Sequence, residues 1–84
     1  MKFNVFIERK ALKQLEGLEE EIKAMIEEKL RELKRGFSPR LDIKKLSGYK
    51  NHYRLRAGKF WILFEIESGN IIVYSILSRR KAYR

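Results

Sequence analysis

Phe3, Val5 and Ile7 recur at every second position at the start of the chain, the period of a strand with one buried face. The period then changes. Ala11, Leu12, Leu15 and Leu18 recur at three- and four-residue spacing, which predicts a short amphipathic helix, and Gly17 predicts a turn between it and a second helix. Ile22, Met25, Ile26, Leu30 and Leu33 form the single apolar stripe of that longer helix. Glu19, Glu20 and Glu21 stand where the positive end of its dipole favours carboxylates, and Lys34 and Arg35 stand at the other end. Gly36 supplies a stop and Pro39 blocks resumption.

From Phe37 to Asn51 no period is sustained, and the segment reads as a connector. Leu41, Ile43 and Leu46 are expected to tuck into the core, with Gly48 and Asn51 flanking a turn. Alternation returns at Tyr53, Leu55 and Ala57, set against Arg54 and Arg56. A turn at Gly58-Lys59 leads into a strand from Phe60 to Glu67, with Phe60, Ile62, Phe64 and Ile66 on one face. Ser68-Gly69-Asn70 predicts a hairpin turn, and Ile71 to Leu77 the last strand. The order is β-α-α-β-β-β. It predicts an α+β fold in which the last three strands form an antiparallel meander, the first strand joins that sheet, and two N-terminal helices pack on one face. The chain is 84 residues long, with no repeat, low-complexity tract or linker, so one domain over residues 1–84 is expected.

Composition changes this picture mainly through charge. Between Glu8 and Arg35 eight Lys/Arg cancel eight Glu. Between Gly36 and Arg84 eleven Lys/Arg face only Asp42, Glu65 and Glu67, a net of +8, and Lys2 completes the total of +9. A balanced first half and a basic second half predict a polyanion-binding face built by the C-terminal elements. The plain alternative is a solvated surface that keeps the protein soluble. Cysteine is absent, which excludes disulfides and thiolate metal sites and fits a reducing compartment, so a cytoplasmic location is expected. No apolar run approaches the roughly 18 residues of a membrane span, and no membrane partner is expected.

Two stretches carry a family likeness. Tyr53-Arg54-Leu55-Arg56-Ala57-Gly58, followed by an aromatic-rich strand, is similar to the corresponding region of RelE-like toxins. The ending Ser78-Arg79-Arg80-Lys81-Ala82-Tyr83 resembles the basic tail of that family, which closes on a tyrosine. With the matching element order, the chain resembles the RelE/ParE toxin superfamily over essentially its whole length. The resemblance implies a compact microbial toxin paired with a RelB-like antitoxin protein that wraps it and blocks its site. For RelE-like members it implies cleavage of mRNA in the decoding site of the ribosome, without metal or small-molecule cofactor. The ribose 2′-hydroxyl attacks the neighbouring phosphate and leaves a cyclic phosphate. ParE-like members share the fold and inhibit DNA gyrase.

RNA cleavage of that kind needs a base for the 2′-hydroxyl, a proton for the leaving 5′-oxygen and cations around the phosphorane. Arg54 and Arg56, two apart on a strand, project from one face, and their forked guanidinium groups suit phosphate. Arg80 follows the last strand, where a neighbouring element can bring it to the same spot. Tyr83 suits stacking on a base or donating a proton. These four are the catalytic candidates, with Arg79, Lys81, Lys59, Trp61 and Lys50 as RNA-binding candidates and no metal ligands. Two departures from the family stand out. Its RNases often have lysines where this chain has Arg54 and Arg56, and an arginine near neutrality cannot serve as base. Trp61 stands where an arginine is common, and an indole can stack on a nucleobase but cannot clamp a phosphate. Tyr83, Lys81, Lys59 and His52 remain as candidate bases. His52 has no ligand-type neighbour along the chain, so it reads as a residue outside the chemistry. Tyr49, Tyr53 and Tyr74 read as core or edge aromatics. Three functions stay open: a ribosome-dependent endoribonuclease, a gyrase inhibitor, and a relative that binds RNA or a partner without catalysis.

Overall fold

The computed structural model describes residues 2–82. The alternating N-terminus forms β1 (Asn4–Ile7), and the two helical stripes form α1 (Arg9–Glu16) and α2 (Glu20–Lys34). Each helix buries the positions its period marks: Ala11 and Leu15 on α1, Ile26, Leu30 and Leu33 on α2. Glu20 and Glu21 occupy the first turn of α2, and Arg31 and Lys34 the last, so side-chain charge complements the dipole at both ends. The chain leaves α2 through Gly36 at φ 119°. There the Phe3 amide donates to the Lys34 carbonyl at 2.8 Å, fastening the start of the chain to the end of the helix.

The connector does more than expected. After Leu41, which is buried, it forms a short strand, β2 (Asp42–Lys45), while Ile43 packs against the core. Asp-Ile-Lys-Lys has a single apolar residue, so its own pattern does not announce a strand. Its backbone is recruited by the unpaired edge of β3 (His52–Ala57), with which it pairs antiparallel. β4 (Phe60–Glu67) and β5 (Asn70–Ser78) follow, and one helical turn, α3 (Arg79–Ala82), ends the described chain. The sheet order is β1-β5-β4-β3-β2. β1 runs parallel to β5 and every other pair is antiparallel. The expected meander, the joining first strand and the helix layer on one face are all present.

Alternation divides the sheet into two faces. Leu55, Ile62, Phe64, Ile71 and Val73 turn to the helices and are fully buried. His52, Arg54 and Arg56 of β3 and Trp61, Leu63 and Glu65 of β4 turn the other way. Two details set the geometry. Ser68 (φ 49°) and Gly69 (φ 79°) make a two-residue hairpin loop with both φ positive, the turn whose twist matches the strands it joins. On β5, Val73 pairs with Phe64 but Ser75 pairs with Leu63, so Tyr74 is an extra residue and forms a bulge. Beyond the stretch that pairs with β1, the Ile76 amide donates instead to Gln14 Oε1 of α1 at 2.7 Å.

Candidate nucleic-acid interface

The face away from the helices is built in rows by the strand register. Asp42, Arg56, Trp61 and Leu77 lie side by side across β2, β3, β4 and β5. Lys44, Arg54, Leu63 and Ser75 form the next row, and His52, Glu65 and Ile72 the one after. Two-residue spacing on β3 thus places Arg54 and Arg56 on one face, as expected, with Trp61 beside them. Arg54 leans towards the first row. Its guanidinium carbon lies 4.9 Å from the centroid of the Trp61 ring, a cation–π contact, and its Nη2 lies 3.4 Å from Asp42 Oδ1. Only 16% of its side chain is exposed. Its Nε is buried and finds no hydrogen-bond partner among the described residues, so part of the donor fork is unused. Arg56 is exposed. Asp42 escapes a reading of the sequence because the strand that carries it has no strand pattern of its own.

The C-terminal cations reach the same end of the sheet by another route. Ser78 pairs with Phe60, next to the row that pairs Trp61 with Leu77. The Arg79 amide then donates to the Lys59 carbonyl at 2.8 Å, docking the tail on the turn between β3 and β4. Lys59, Phe60, Ser78, Arg79 and Arg80 line a hollow of about 570 Å³. Lys81 lies within α3, and Tyr83 lies outside the described residues. Lys50 does not join this group. It precedes β3, and the six residues of that strand put roughly 17 Å between its end of the sheet and the end where the tail docks.

A second cluster forms on the open face at that far end, and it gives His52 a ligand-type neighbour, Glu65, that was not expected. Strand pairing sets His52 directly opposite Glu65, with Nε2 3.4 Å from Glu65 Oε2. The bulged Tyr74 reaches over β4, and its hydroxyl lies 3.1 Å from His52 Nδ1. Burial, then the nearby Glu65 carboxylate and Tyr49, push the Tyr74 phenol above its ordinary range, so it stays protonated. The imidazole thus bridges the phenol through Nδ1 and the carboxylate through Nε2. The Tyr49 ring lies 5.6 Å from the imidazole and is 63% exposed, whereas Tyr53 is partly buried and stacks on Phe64 of the core. Among the described residues no three His, Cys, Asp or Glu side chains gather as metal ligands. No described helix is long and apolar enough to cross a membrane.

Comparison with known proteins agrees with this architecture. Residues 5–83 match the family described as the ParE toxin of a type II toxin-antitoxin system, parDE. Toxin RelE3 of Methanocaldococcus jannaschii is 39% identical over 80 residues, covering 88% of this chain and 84% of that protein. The putative toxin RelE1 of the same organism is 35% identical, covering 100% of this chain and 98% of its own. Among solved structures, the toxin in the RelB–RelE antitoxin–toxin complex from Methanococcus jannaschii superposes with a TM-score of 0.80 at 31% identity. That match covers 93% of this chain and 94% of the other. The RelE–RelB complex from Pyrococcus horikoshii OT3 contributes a chain with the same TM-score, 0.80, at 24% identity, covering 94% and 97%.

Proposed function

This chain belongs to the RelE/ParE superfamily of type II toxins, and on that premise we propose that it cleaves mRNA in the ribosome and is silenced by an antitoxin protein. The observation that carries the reading is the gathering of cations at one end of the sheet. Arg54 and Arg56 come from β3, and Lys59, Arg79 and Arg80 surround the hollow where the tail docks. Guanidinium groups bind phosphate in a forked, directional way and stay charged, so they stabilise the dianionic phosphorane without serving as its base. Arg56 and Arg80 are exposed and can meet the scissile phosphate, while Arg54 lies over the Trp61 ring. In this reading Tyr83 donates to the leaving oxygen. Antitoxin binding is supported by the related toxins solved as RelB–RelE complexes. It is also supported by exposed apolar side chains at Phe6, Leu12 and Phe37.

Induced expression followed by mapping of transcript ends tests the activity. Cuts within translated codons are expected, and the pair Arg80→Ala with Tyr83→Ala should reduce them at least about a hundredfold. Growth arrest with intact transcripts would sink the reading. One observation favours a second target: Arg54 is already engaged by Asp42 and Trp61, and the matched family is that of ParE. A supercoiling assay with purified protein separates the two. Inhibition of gyrase at micromolar protein with transcripts intact would transfer the assignment to DNA gyrase.

A further inference from the structure

The far end of the open face holds four side chains that phosphate chemistry does not use. We propose that Tyr49, His52, Glu65 and Tyr74 form a nucleobase subsite that takes an unpaired guanine of the RNA strand held at the arginine end; this deepens the RNA reading above and rests on it. Tyr49 carries the stacking surface. It is 63% exposed, tilted 48° to the imidazole, and stands beside a floor in which His52 and Tyr74 meet edge to face at 5.4 Å. The hydrogen bond between His52 and Tyr74, at 3.1 Å, holds that floor across three strands, so stacking a base requires little ordering of the protein.

Glu65 supplies the selectivity. On a face that carries Lys44, Arg54 and Arg56 a carboxylate repels phosphate, but it is a strong acceptor for base-edge donors. A carboxylate has about four lone-pair positions, and His52 occupies one. Guanine alone presents two adjacent donors, N1–H and the N2 amino group, on its pairing edge. Adenine, cytosine and uracil each place an acceptor next to their donor. Glu65 and Trp61 lie on the same face of β4 four residues apart, about 13 Å, so successive nucleotides of one strand can reach both. Lys44, in the row between, and Lys50, beside Tyr49, are exposed cations placed for the intervening and following phosphates.

The test is fluorescence anisotropy of the full chain with short 2′-O-methyl oligonucleotides, which cannot be cleaved. They carry a single guanine, inosine or adenine in a uridine background. Guanine should bind about tenfold more tightly than adenine, with inosine, which lacks the N2 amine, in between. Glu65→Gln should erase the preference, and Tyr49→Ala, at an exposed position that leaves the fold intact, should weaken the guanine oligonucleotide several-fold. The double change Arg54→Ala with Arg56→Ala should weaken every oligonucleotide and leave the preference in place. Equal affinity for guanine and adenine, or a preference that survives both Glu65→Gln and Tyr49→Ala, overturns the subsite while RNA binding stands. Failure of the unaltered chain to bind any oligonucleotide overturns the RNA reading itself.

Discussion

Tyr74 shows how one inserted residue changes what its neighbours are. The bulge turns its phenol onto the open face, where burial, Glu65 and Tyr49 all favour the protonated form. A phenol whose folded value lies above the unfolded 10.0 stabilises the native state fully below that pH. The contribution is lost as pH rises through the folded value. Thermal melts should therefore show a steeper loss of stability above pH 10 in the unaltered chain than in Tyr74→Phe, with the two curves parallel at lower pH. Parallel curves throughout would mean that the hydroxyl is not held protonated by its surroundings. Arg54 carries the same lesson in a different chemistry. Between an indole face and a carboxylate it is held in one orientation, whereas Arg56 two residues away is exposed.

At the scale of elements, α1 does more than cover the sheet. β1 pairs with β5 only from Asn70 to Val73, which leaves the following backbone donors of β5 without a neighbouring strand. Gln14 supplies the acceptor for Ile76, so a helix side chain stands in for a missing strand. Gln14→Ala should cost about 1–2 kcal/mol, since it strands a half-buried amide. In a chain of this length that lowers the melting midpoint by on the order of 5–10 °C. Gln14→Glu keeps an acceptor and should retain most of the stability, and equal losses in both variants would exclude the bond as the cause. The turn between β3 and β4 is similarly specified. A Cβ on Gly58 would lie 3.2 Å from Met25 Cε, and its φ is 60°, so glycine lets the turn lie this close to α2 without strain.

For the whole molecule, the decisive event is the docking of the tail on the turn between β3 and β4, because it gathers cations separated by about twenty positions in the chain. If Arg56 and Arg80 meet the same RNA strand, each should release counterions when it binds. Arg56→Ala and Arg80→Ala should then each lower the slope of log affinity against log salt by about 0.7, and the double variant by about 1.4. A slope unchanged by either substitution would place that arginine off the RNA path. Phe64 anchors the other side of the sheet, fully buried and stacked on Tyr53. Phe64→Ala should cost about 3–5 kcal/mol, a large fraction of what so small a core provides.

Periodicity alone determined the two helices, the alternation of β3 and β4 and therefore the face on which Arg54, Arg56 and Trp61 stand, because these are properties of residues a few positions apart. Even the pairing of His52 with Glu65 was within reach. The two-residue turn at Gly58-Lys59 sets Ala57 opposite Phe60, and counting back along the hairpin sets His52 opposite Glu65. Counting the same way from the Ser68-Gly69 turn sets Tyr74 opposite Leu63, and the bulge makes that wrong. Only tertiary structure decided that shift, the recruitment of β2 with its Asp42, the parallel pairing of β1 with β5 across nearly the whole chain, and the seat of Arg79 on Lys59. Each of these depends on what a distant element leaves unpaired, an open strand edge or a free carbonyl, and no local pattern of side chains records it.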